Sequence, residues 1–119
     1  MGLTYITASI INPAKPKKQA KAAFLVDSGA VYTVAPRTTL KRLGIKPHSS
    51  RTFTLADGTR ITRQMGDAVF AIDGERAASP VIFGEKGDSL LFGTVSLEAL
   101  GLMLDPLKRE LRPLPMVLG

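Results

Sequence analysis

Asp27, Ser28 and Gly29 stand in a row directly after Phe24-Leu25-Val26, so a carboxylate and a hydroxyl end a run of large apolar residues. Such a run reads as a strand buried on both faces, and the residue ending it is delivered to the interior or to the floor of a cleft. A carboxylate there is costly unless it is paired or protonated. Asp27 is therefore either a turn or cap residue that accepts backbone N–H bonds, or a proton carrier in a reaction. Ser28 places a hydroxyl beside it, as a turn serine or as a partner in that chemistry, and Gly29 lets another backbone approach without a Cβ in the way. Other chemistries have little material. The chain has no cysteine and one histidine, His48, so a thiolate nucleophile, a thiolate or histidine-rich metal site, and a Ser-His pair with a spare histidine are all excluded. His48, between Pro47 and Ser49, is expected to be exposed and idle.

The elements that must position Asp27 are mostly strands. Leu3 to Ile11 is rich in β-branched residues and reads as a first strand, with Thr4, Ile6, Ala8 and Ile10 on one side and Tyr5, Thr7 and Ser9 on the other. Asn12 to Pro16, with two prolines, is a turn, and Lys17 to Val26 returns as a strand that begins charged and ends buried. After a sharp turn at Asp27, strand resumes from Val31 to Ala35. Pro36 then opens a short helix over Arg37 to Leu43 that Gly44 ends. Two Asp-Gly pairs, Asp57-Gly58 and Asp73-Gly74, mark hairpins between Phe53 and Phe83, the first with a type I′ turn if it is only a surface hairpin. Gly84 to Asp88 is a loop, Leu90 to Phe92 a short buried strand, and Val95 to Leu100 a helix closed by Gly101. Residues 102–104 and 110–112 bracket a turn at Asp105-Pro106.

Hydrophobic-hydrophobic-Asp-Ser-Gly-Ala, followed by Thr33 in Val31-Tyr32-Thr33-Val34, resembles the catalytic signature of retropepsin-like aspartic proteases, in particular their small prokaryotic members. Leu90-Leu91-Phe92-Gly93 and the helical Thr94 to Gly101 match that family's second element, and the resemblance runs from about Tyr5 to about Pro113. It implies an all-β, retropepsin-like acid protease barrel with one or two short helices, forming one half of a two-fold dimer. It implies a single domain over 1–119, with its core at about 3–113 and a short C-terminal tail. In that reading Asp27 is catalytic, and Ser28, Gly29, Ala30 and Thr33 belong to the active-site loop. Leu55, Ala56, Asp57, Gly58 and Thr59 form a flap over bound peptide, and Leu91, Phe92 and Gly93 form the second motif, with Gly93 there to let the strand pass close behind the loop. Ala30, Val31 and Ile82 are expected pocket walls. Neither metal nor organic cofactor is implied.

Peptide hydrolysis by this chemistry needs two carboxylates sharing one proton, because like charges about 3 Å apart cannot both ionise cheaply. The chain has a single Asp-Ser-Gly. A two-fold axis beside Asp27 would supply the second carboxylate from another copy, so the expected partners are the protein itself and an extended polypeptide substrate. Two departures from the family pattern bear on this: the hairpin tip carries an acid, and Thr94 follows Gly93 where retroviral enzymes place an arginine that ties the dimer. The tail from Lys108 to Gly119 is the expected substitute, by analogy with retroviral relatives.

A chain of 119 residues is long enough to bury about two-thirds of its unfolded surface. No apolar run reaches the length of a membrane span and Met1 to Tyr5 lacks a signal-peptide layout, so a cytoplasmic protein is expected. The net charge of +6 favours acidic partners, but the basic residues are scattered and not interleaved with aromatics, which argues against nucleic acid. Two rivals to the protease stand: the same fold binding peptide without cutting it, and a basic nucleic-acid-associated protein with an incidental Asp-Ser-Gly.

Overall fold

The computed structural model describes residues 3–115 and Leu118. Met1 and Gly2 of the expected leaderless start, and Met116, Val117 and Gly119 of the expected dimer tail, lie outside the described residues.

The chain opens with β1 (Tyr5–Asn12) and β2 (Lys15–Val26), an antiparallel pair in which Ala8 and Ile10 are buried while Tyr5 and Thr7 are exposed, as the alternation requires. The turn is tighter than two prolines suggest. Asn12 Oδ1 accepts the N–H groups of Ala14 (2.8 Å) and Lys15 (3.3 Å), and its Nδ2 donates to the Leu43 carbonyl (2.8 Å). Pro16 already belongs to β2; Ile11 pairs with Gln19 and Asn12 with Lys15, so Pro16 bulges from the ladder and its missing N–H costs no rung.

Next come β3 (Thr33–Pro36), α1 (Arg37–Arg42), β4 (Ser49–Thr54), β5 (Arg60–Ile72), β6 (Glu75–Gly84), β7 (Leu91–Phe92), α2 (Thr94–Ala99), β8 (Leu102–Asp105) and β9 (Glu110–Pro113). The fold is mostly β-sheet with two short helices. Its main sheet runs β3-β6-β5-β1-β2-β7, with β4 on the first half of β5, and β8 and β9 form a separate hairpin. Both end strands join in parallel, β3 to β6 and β7 to β2. The core lies on the inward face, where Phe24, Phe70 and Phe92 meet edge to face at 5.3–6.2 Å between ring centres.

β3 begins two residues later than expected. The carbonyls of Ala30 and Val31 accept the N–H groups of Thr94 (2.9 Å) and Val95 (3.0 Å), so this backbone is committed to the first turn of α2 rather than to a strand ladder.

Candidate active site

β2 delivers Asp27 beside β7: the Asp27 N–H donates to the Phe92 carbonyl at 3.2 Å, and the Asp27 carbonyl accepts the Ala30 N–H at 3.1 Å. The side chain is not interior. Asp27 is half-buried, Ser28 and Gly29 are exposed, and the apolar run leads to the rim of the cleft rather than its floor. Oδ1 accepts the Gly29 N–H at 2.8 Å, as the turn reading requires, while Oδ2 meets no donor among the described residues. A Cβ on Gly29 would sit 3.2 Å from Oδ1, so within one chain the small residue makes room for its own neighbour's carboxylate, not for another backbone.

The loop is fastened from beneath by the second motif. A Cβ on Gly93 would lie 2.6 Å from the Tyr32 carbonyl carbon and the Val31 carbonyl oxygen, so only glycine lets the chain pass there. Thr33, expected at the active-site loop, is fully buried at the start of β3 and cannot reach the cleft. Its hydroxyl accepts the Gly93 N–H at 3.0 Å and lies 2.6 Å from Ser96 Oγ, which is 2.7 Å from Ser79 Oγ, whose hydroxyl donates to the Pro80 carbonyl at 3.0 Å. Each hydroxyl has one proton, so the directions are determined: Gly93 N–H to Thr33, Thr33 to Ser96, Ser96 to Ser79, Ser79 to Pro80. This satisfied chain ties β3, α2 and β6 together behind Asp27. Ser79 and Ser96 were not expected. The signal available was a serine on the apolar side of a six-residue helix and another before a proline inside a strand.

In front of the loop is a cavity of about 730 Å³ between the loop, the β4–β5 hairpin and the segment before β7. Ala30, Val31 and Ile82 line it as expected, joined by Tyr32, Phe53, Ile61, Arg63 and Asp88, which sequence reasoning missed. Period-two alternation in β4 would have found Phe53. Leu91 lines the cavity, whereas Phe92 is buried in the core. Of the five residues expected as a flap, Leu55 reaches the cavity wall, while Ala56, Asp57, Gly58 and Thr59 form an exposed tip outside it. That tip is not a type I′ turn: only Gly58 has positive φ (87°), the Gly58 N–H donates to the Leu55 carbonyl (2.9 Å), and the Leu55 N–H donates to the Thr59 carbonyl (2.7 Å). This is a three-residue loop with a glycine bulge. Hydrogen bonds from the Thr59 hydroxyl and N–H hold the Asp57 carboxyl below its ordinary range.

Two arginines hold the base of that hairpin. Arg63 Nε and Nη2 donate to the two oxygens of Asp88 at 2.7 and 2.9 Å, and Asp88 also accepts the Glu85 N–H at 2.8 Å. The Arg63 bond keeps the Asp88 carboxyl below its ordinary range, and Arg37 does the same for Glu85. Arg51 donates to the Tyr32 hydroxyl and lies over its ring, 5.3 Å from the centre. His48 is exposed but not idle: its Nε2 is 3.4 Å from Asp67 Oδ2, an ion pair when the ring is protonated.

An aspartyl protease family model matches residues 13–94, more than half of the chain, including the Asp27 loop, both Asp-Gly hairpins and Gly93. The chain belongs to this retropepsin-like aspartyl protease family. No match is found among curated proteins. In this aspartyl protease family member the matched span stops at the first residue of α2, so the β8–β9 hairpin lies beyond it. No helix among the described residues is long and apolar enough to cross a membrane.

Proposed function

We propose that this chain is one half of a homodimeric aspartic endopeptidase, a single barrel domain over about residues 3–113, in which Asp27 of two copies activates a water. The observation that carries the proposal is a carboxylate with one oxygen that meets no donor among the described residues, held at the surface of a single chain by a loop fastened from beneath, beside a largely apolar cavity. One such carboxylate is half a site. Ser28 borders a second hollow of about 410 Å³ with Thr94, Leu97, Glu98, Leu102, Met103, Leu104 and Leu114 on its walls, a mostly apolar surface beside the Asp27 loop on which a second copy would seat.

In the dimer, one Asp27 is ionised and takes a proton from the water as the water attacks the scissile carbonyl. The other, protonated, donates to the carbonyl oxygen, and the two exchange roles to release the amine. The Gly29 N–H on Oδ1 orients the carboxylate, Ser28 is free to bond across the axis, and the β4–β5 hairpin serves as the flap. Substrate lies extended beneath it, held by main-chain hydrogen bonds.

Hydrolysis of unfolded protein across roughly pH 3 to 7, where a coupled carboxylate pair shares a proton, tests this reading. Asp27→Asn is expected to lower the rate by about 10²–10⁴-fold, and wild-type activity is expected to fall faster than linearly on dilution. Activity retained in Asp27→Asn would refute it. A second reading, a peptide-binding module that does not cut, is favoured by one feature: the cavity wall begins at Gly29 and does not include Asp27. Peptide binding without hydrolysis by a confirmed dimer would select it.

A further inference from the structure

Arg51 of β4 and Arg63 of β5 face each other directly across the hairpin, on the same face as the Phe53 and Ile61 pair that walls the cavity. Like charges opposite one another destabilise a strand pair unless each finds a partner. Arg63 has one, since its guanidinium and the Asp88 carboxylate are both mostly buried, at 18% and 22% exposure, in a two-pronged bond. Arg51 does not. It rests on the neutral Tyr32 hydroxyl and ring, and no carboxylate among the described residues lies within ion-pair distance of it. A hydrogen bond and a ring contact thus hold a positive charge with no carboxylate partner among the described residues against Tyr32, a wall of the cavity whose other charged lining residues, Arg63 and Asp88, neutralise each other. Tyr32 itself packs edge-on against Phe53, with ring centres 6.4 Å apart.

We propose that Arg51 makes this site selective for polypeptides that carry an acidic side chain close to a large apolar one. The inference rests on the reading of the cleft as a peptide site, not on hydrolysis. An extended peptide places residues i and i+2 on one face, about 7 Å apart. With an apolar side chain in the cavity between Ala30, Phe53 and Ile82, a glutamate two positions away on the same face reaches the guanidinium over Tyr32. The contact is a charge-assisted hydrogen bond, and the arginine meets it already ordered by Tyr32. Arg63 does not compete for that carboxylate because its charge is already paired with Asp88 through Nε and Nη2, while its Nη1 donates to the Thr62 carbonyl at 3.0 Å.

The test uses fluorescent peptides with one leucine in an alanine background and a single glutamate walked along the sequence. Each has a glutamine control, and binding is measured to the Asp27→Asn protein so that no peptide is consumed. At one spacing from the leucine the glutamate peptide is expected to bind roughly fivefold tighter than its control at low salt, with the preference shrinking as salt is raised. Arg51→Gln is expected to remove the preference while leaving leucine-dependent binding intact, and Arg51→Lys to restore part of it. Equal binding of glutamate and glutamine peptides at every spacing, or a preference that persists in Arg51→Gln, overturns the proposal. Failure of every peptide to bind overturns it together with the peptide-site reading. Cleavage of the preferred peptide by wild-type protein is scored separately: selective binding without cleavage leaves the role of Arg51 standing and removes only hydrolysis.

Discussion

The same dipeptide, Asp-Gly, turns the chain twice, and the two hairpins have little else in common. At Asp73-Gly74 both residues have positive φ (49° and 86°), the two-residue turn that matches strand twist, and Ile72 and Phe70 beneath it are buried. At Asp57-Gly58 only the glycine does, the loop is one residue longer, and every residue from Thr54 to Arg60 is exposed. One hairpin is clamped by the core. The other stands over a cavity and is held at its base by Arg51 on Tyr32 and Arg63 on Asp88. The difference shows that turn chemistry marks where a hairpin is, while the material beneath it decides whether the hairpin can move.

The sharpest way to break this comparison is to truncate one large residue in each hairpin. Phe70→Ala empties the aromatic cluster and is expected to cost about 3–5 kcal/mol in urea unfolding. Phe53→Ala, on the cavity wall, is expected to cost under about 1 kcal/mol while weakening peptide binding. Comparable losses would mean that both hairpins are structural. Next in size is Ser79→Ala in β6, which deprives the Ser96 hydroxyl of its acceptor and is expected to cost about 1–3 kcal/mol. Because the hydroxyl chain ends at Gly93, activity should also fall.

Arg63→Gln probes the other hairpin's base and is expected to cost about 0.5–1 kcal/mol, discounted for partial exposure. Its pH dependence has a definite sign. The folded-state pKa of Asp88 lies below its ordinary value of 3.8, so the pair's contribution is present above about that pH and is lost as pH falls through the folded value. The stability gap between wild type and Arg63→Gln should therefore close in acid, and a gap that widens would show that the pair does not act this way. The smallest effect is expected at the exposed tip, where Asp57→Ala should leave the thermal midpoint unchanged and alter only peptide affinity. A clear drop in midpoint would place the tip among the structural elements.

Much of this was legible in the residues. Asp27 after an apolar run, the Leu91-Phe92-Gly93 element and the following helix pointed to the family, and the first three and last three strands fell within two residues of their expected bounds. The hairpin strands between Phe53 and Phe83 proved longer, β4 and β6 starting four and five residues earlier than read and β5 running unbroken from Arg60 to Ile72. What was misread shares a cause. Thr33 was assigned to the active loop because it falls within the family signature that follows Asp27, yet the inward turn of β3 buries it against Ser96, 63 positions away. Asp57-Gly58 was given the turn its dipeptide favours, but turn type also depends on loop length and flanking twist.

The sequence alone determined where a carboxylate ends an apolar run and in what order the strands follow, because alternation, turn residues and that run are local and leave a trace at short spacing. Only the tertiary structure decided that Asp27 emerges at a surface rather than in a pocket, that three hydroxyls fasten its loop, and that one arginine of a facing pair is neutralised while the other is not. These depend on strands brought together from distant parts of the chain, and packing rather than local preference chooses such neighbours.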